Sequence, residues 1–102
     1  MNVAPMLAAL GDETRLEIVR KLGKSGPLSI TKLTHGTDIS RQAVTKHLLA
    51  LRRAELVRSE RRGRERIWKL EPKRIEDVRR YLMQISEQWD RALSRLTATV
   101  ER

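Results

Sequence analysis

The stretch Ser40-Arg41-Gln42-Ala43-Val44-Thr45-Lys46-His47-Leu48-Leu49-Ala50-Leu51-Arg52-Arg53 decides how this chain folds. Val44, Leu48 and Leu51 recur at the spacing of one helix face, while Arg41, Gln42, Thr45, Lys46, Arg52 and Arg53 fall on the other. Upstream, Leu28 to Ile30 is long enough only for a small strand, and Thr31 is placed to cap a brief helix containing Leu33 that ends around Gly36. A tight polar turn then leads into Ile39 and Ser40. Short helix, turn and second helix make a helix-turn-helix over about residues 31–53.

Working outward, residues 3–10 read as a short apolar helix that stops near Gly11, and Asp12 can cap a second helix through Arg15, Leu16, Ile18, Val19 and Leu22. Gly23, Ser25, Gly26 and Pro27 break the chain before the small strand. Past Ala54 the period changes to two. Leu56 to Arg61 faces Arg64 to Leu70 across Arg62-Gly63, which predicts a β-hairpin over about residues 56–70. Pro72 suits the first turn of a last helix, about residues 72–100. In it Ile75, Val78, Leu82, Ile85, Trp89, Ala92, Leu96 and Val100 alternate spacings of three and four, the pattern of a helix that pairs with another. The expected architecture is mainly α with a small β-hairpin, one domain across residues 1–102.

Composition narrows the function. The chain has 102 residues, with no Phe, one Tyr and two Trp, so its core must come from Leu, Ile, Val, Ala and Met. A core that thin points to subunit contacts as a source of stability. Lys and Arg number 22 against 13 Asp and Glu, a net charge of +9, so the expected partner is a polyanion. Zero cysteines exclude disulfides, thiolate metal sites and cysteine nucleophiles. The apolar run from Val3 to Leu10 is broken by Pro5, is not preceded by basic residues and is followed by Asp12 and Glu13, so it reads as neither signal peptide nor membrane span. The protein is expected to be soluble and cytoplasmic.

The charge is concentrated where the helix-turn-helix and hairpin lie. From Ser40 to Arg66 there are nine basic residues and three acids, which is +6 of the total. A helix that enters the major groove needs short polar groups near its N-terminus to reach base edges and cations beside it to neutralise phosphates. Ser40, Arg41, Gln42, Thr45 and Lys46 meet that need, and Arg61, Arg62 and Arg64 project guanidinium groups from the hairpin tip. Each stripe alone could be a solvated face or a charged edge strand; their coincidence points to double-stranded DNA. Only two histidines occur: His47 is expected to pack on the inner side of its helix, and His35 to lie at the surface. No Ser/His/Asp set, phosphate-cradling loop or catalytic carboxylate pair is present, so no enzyme activity is expected.

The segments Ala9 to Ile18, Ile39 to Leu48 and Gly63-Arg64 together resemble the ArsR/SmtB family of winged-helix repressors, over nearly the whole chain. The resemblance implies a winged helix-turn-helix dimerising through its first and last helices, with two recognition helices and two wings facing a pseudo-palindromic operator near the nucleoid. The residues that would form the seam are Met6, Leu7 and Leu10 with Val78, Leu82, Ile85, Trp89 and Leu96. Where metal-sensing members carry cysteines this chain has Ser29 and Thr31, and its last helix offers Glu76, Asp77, Glu87 and Asp90 without histidine. Carboxylates alone make a poor transition-metal site, so no metal or other cofactor is expected. Glu55 stands where a glycine often ends the recognition helix. Two other readings remain beside a specific regulator: a protein–protein interaction module and a non-specific architectural binder of nucleic acid.

Overall fold

The computed structural model describes residues 2–101. Its elements run α1 (Ala4–Ala9), α2 (Glu13–Ser25), β1 (Leu28–Ser29), α3 (Ile30–Thr34), α4 (Arg41–Arg53), β2 (Val57–Arg62), β3 (Glu65–Leu70) and α5 (Pro72–Val100). Each major helix starts where its capping chemistry allows. Asp12 is extended and accepts from the Arg15 N–H, Ser40 accepts from the Ala43 N–H, and Pro72 occupies the first turn of α5.

The cap of α3 differs from expectation. Ser29, not Thr31, is the extended residue whose hydroxyl accepts from the Lys32 N–H, so the helix begins at Ile30 and the strand ends one residue earlier. The sheet explains this: Leu28 pairs with Trp68 and Ser29 with Ile67, which holds the backbone extended through position 29. Three antiparallel strands follow the order β1-β3-β2. The hairpin also turns one residue later than expected. Arg62 still pairs with Glu65, and Gly63 and Arg64 form the two-residue loop, with Gly63 at φ 63°. Glycine first in the loop matches the strand twist, whereas an arginine there would be strained.

The core lies where α2, α3, α4 and the sheet converge. Leu48, Leu51 and Leu56 are fully buried, and Ile18, Leu22, Leu33, Val44, Val57 and Trp68 close around them. Met6 is also buried in this core, so its side chain is committed within its own chain, while Leu7 and Leu10 are half-buried. The end of α4 turns sharply at Glu55, which sits at φ 62°. The Leu56 N–H donates to the Leu51 carbonyl at 3.0 Å and the Glu55 N–H to the Arg52 carbonyl at 2.9 Å, a Schellman cap with glutamate in the left-handed position. That cap delivers Leu56 and Val57 into the core and starts the hairpin.

Only the start of α5 joins the core, through Ile75 and Val78. At 29 residues this helix is about 44 Å long. It gives the chain extents of 64 × 30 × 21 Å. Its apolar stripe runs on past the domain: Leu82 is 48% exposed, Trp89 62%, Leu96 62% and Val100 83%.

Candidate nucleic-acid interface

Burying Val44, Leu48 and Leu51 turns the opposite face of α4 outward. Arg41, Gln42, Lys46, Arg52 and Arg53 are exposed there. Gln42 and Lys46 make no hydrogen bond or ion pair among the described residues, which leaves their polar ends available to a ligand. Other residues of the face are committed. The Ser40 hydroxyl oxygen accepts the cap hydrogen bond from Ala43 at 3.1 Å, which fixes the side chain against the helix start. The Thr45 hydroxyl donates to the Arg41 carbonyl at 2.8 Å, and Arg41 Nη1 donates to Thr31 Oγ1, also on the surface, at 2.7 Å.

The hairpin presents a second cationic group. Arg64 stands exposed at the loop without a partner among the described residues. Arg61 Nε donates to the Gly63 carbonyl at 3.3 Å, which bends that side chain toward the tip. Glu60 takes Arg62 at 2.9 Å and Lys69 at 3.5 Å. The hydrogen bond from Arg62, helped by the charge of Lys69, holds the Glu60 carboxyl below its ordinary value. Arg66, which the sequence reading counted as charge only, donates to Ser59 Oγ at 2.8 Å across the hairpin. The wing therefore keeps its positive sign despite carrying two acids.

One link was invisible in the sequence. Arg15 Nε donates to His47 Nδ1 at 3.2 Å, and Arg15 also reaches the Ala9 carbonyl at 3.4 Å, so the start of α2 is tied to the middle of α4 and the end of α1. Asp12 Oδ2 lies 3.8 Å from the same Nδ1. The hydrogen bond from the Arg15 backbone N–H is the main cause that holds the Asp12 carboxyl below its ordinary value. His47 is thus a packed histidine whose partner is a side chain of α2. His35 is exposed, as expected.

Positions 29 and 31 carry hydroxyls with structural partners: Ser29 is buried at the α3 cap and Thr31 holds Arg41. Among the described residues no group of three or more His, Cys, Asp or Glu side chains is placed to hold a metal ion. No helix among them is long and apolar enough to cross a membrane.

The whole arrangement has close counterparts. A family model described as a helix-turn-helix domain matches residues 10–60. The HTH-type transcriptional regulator Rv2034 of Mycobacterium tuberculosis is 37% identical over 86 residues, covering 84% of this chain and 77% of that protein. A solved ArsR-like transcriptional regulator from Rhodococcus sp. RHA1 superposes with a TM-score of 0.72 at 38% identity, covering 92% of this chain and 88% of the other. The transcriptional repressor BigR from Xylella fastidiosa superposes at 0.64 with 27% identity, covering 76% and 79%. These relatives are regulators of transcription, not enzymes, and the two solved structures share the fold of the present chain. The chain belongs to the ArsR/SmtB family of winged-helix transcriptional regulators.

Proposed function

We propose that the protein is a homodimeric, sequence-specific repressor that occupies a pseudo-palindromic DNA operator and needs no metal to do so. The observation that carries this reading is the unburied apolar stripe of α5, lying on a chain whose α4 and wing present cations outward. Leu82, Ile85, Trp89 and Leu96 cannot reach the core of their own chain, and a second α5 would bury them at about 1.5–3 kcal/mol for each fully covered side chain. A two-fold axis through that seam sets two α4 helices and two wings on one DNA duplex. Leu7 and Leu10 of α1, half-buried, can extend the seam; Val78 supports it from the core side.

Ser40, Arg41, Gln42, Thr45 and Lys46 form the DNA-facing end of α4, and Arg61, Arg62 and Arg64 the wing that follows the backbone or the minor groove. Repression follows from occupancy of the operator, the role that the name of BigR states for that relative. Metal independence is supported by the absence of cysteine and by the commitments of Ser29 and Thr31. Bound to chromosomal DNA, the protein would reside at the nucleoid.

The test pairs sedimentation velocity with a DNA titration on wild type and Ile85→Glu. A carboxylate at the seam would be desolvated beside its symmetry mate. Monomer or unfolded chain, with weakened DNA binding, is the expected result for Ile85→Glu. A folded Ile85→Glu dimer that binds DNA normally would contradict this seam and move the contact to α1.

A further inference from the structure

Arg41 is the first residue of α4, where the helix dipole presents its positive end, and the first turn carries no acid to offset it. A guanidinium gains nothing there from the helix. Its observed partner is a neutral hydroxyl on another element: Arg41 Nη1 donates to Thr31 Oγ1 at 2.7 Å, ten positions earlier, and both residues are exposed. A single surface hydrogen bond of this kind adds little to stability, yet it fixes where a long flexible side chain points. It uses one of the five N–H donors of the guanidinium and leaves the rest without a partner among the described residues.

Thr31 belongs to α3, the first helix of the helix-turn-helix. In that motif the first helix crosses the phosphate backbone while the second enters the groove. An arginine tied to α3 is therefore held at the phosphates and drawn away from the base edges, and its planar fork suits a phosphate. Thr45 has spent its hydroxyl proton on the Arg41 carbonyl. Gln42, exposed and without a partner among the described residues, is the side chain at the start of α4 whose amide can offer a donor and an acceptor side by side to a base pair.

We infer that Thr31 is a positioning residue for DNA binding: it holds Arg41 on the phosphate backbone and so leaves base discrimination at the N-terminus of α4 to Gln42. This rests on the DNA-binding reading above. It also gives position 31 a function built from a hydroxyl, independent of any bound ligand.

The experiment measures affinity across salt concentrations for two duplexes of equal length, one enriched from a random pool by the wild-type protein and one of random sequence. Wild type, Thr31→Val, Thr31→Ala, Thr31→Ser and Arg41→Ala are compared. Loss of one phosphate contact per half-site lowers the slope of log K against log salt by about 0.9 for each site. Thr31→Val and Thr31→Ala should show that drop, should weaken both duplexes by about 2- to 10-fold, and should leave the ratio between duplexes unchanged. Arg41→Ala should do the same, and adding Thr31→Val to it should change nothing more. Thr31→Ser, which restores the acceptor, should behave as wild type. A wild-type slope in Thr31→Val and Thr31→Ala, or a loss confined to the enriched duplex, would overturn the inference while leaving DNA binding intact. Failure of wild type to bind either duplex would overturn both.

Discussion

Glu55 holds a backbone conformation that glutamate adopts at a cost of about 1–2 kcal/mol, because its Cβ crowds the following carbonyl. Its ion pair with Arg74 at 2.9 Å returns only a few tenths, since Glu55 is largely solvent-exposed. Glu55→Gly should therefore raise stability by about 0.5–1 kcal/mol, read as a higher urea midpoint at fixed protein concentration; a lower midpoint would mean the ion pair outweighs the strain. Gln42 offers the complementary test of readout. Gln42→Ala should cost about 1–3 kcal/mol on the selected duplex and little on a random one, whereas Arg64→Ala should weaken both alike. Equal losses for Gln42→Ala on the two duplexes would place it among the phosphate contacts. Single residues were legible where the governing interaction is local: the Asp12 cap bonds within three positions, and the departure at Glu55 was visible as a missing glycine. The Arg15–His47 bond spans 32 positions and leaves no local trace. Ser29 and Thr31 are both competent caps in isolation, and the choice between them is made by a strand partner almost forty residues away.

Helix α5 shows best how an element can be read correctly while most of its apolar stripe stays uncovered. Its stripe is apolar at helical period, and the structure covers only the first part of it, through Ile75 and Val78. The first turns are braced on the outer side by Glu76, which binds Arg79 at 2.7 Å and Arg80 at 3.3 Å. Hydrogen bonding from Arg79 takes the Glu76 carboxyl from 4.5 down to about 2. The folded value lies below the unfolded one, so this bracing is complete above about pH 4.5 and lost as pH falls toward about 2. Helicity by far-UV circular dichroism should be lower in Glu76→Gln than in wild type at neutral pH, and the two should converge near the acid end of that window. A difference that persists at about pH 2 would assign the effect to something other than the ionised carboxylate. The hairpin was legible as an alternation of residues, but its turn was placed one residue early. Period-two patterns fix which residues share a face far better than where the chain reverses, and the reversal follows the one residue that tolerates positive φ without strain.

At the scale of the molecule, net charge, helix-turn-helix spacing and the absence of cysteine are all legible in the sequence, and they point to a nucleic-acid partner and away from thiolate chemistry. What composition could not supply was the direction in which each cation points, because that follows from the burial of Val44, Leu48 and Leu51 on the other side of α4. If two such faces share one duplex and neutralise about 6–10 phosphates, affinity should fall by about 10³–10⁵ between about 50 and 200 mM salt. A flat salt profile in the same titration would contradict an electrostatic interface. Zinc, arsenite and chelators should leave that affinity unchanged, since no thiolate is available and the two histidines lie on different elements; a stoichiometric metal whose removal alters DNA binding would refute metal independence. The most direct test of the central claim is selection of bound duplexes from a random pool by the full chain. A two-fold symmetric sequence is predicted, with half-sites separated by about one helical turn or slightly more. Enrichment of a single asymmetric site, or of no sequence at all, would contradict a dimer that reads DNA through paired α4 helices.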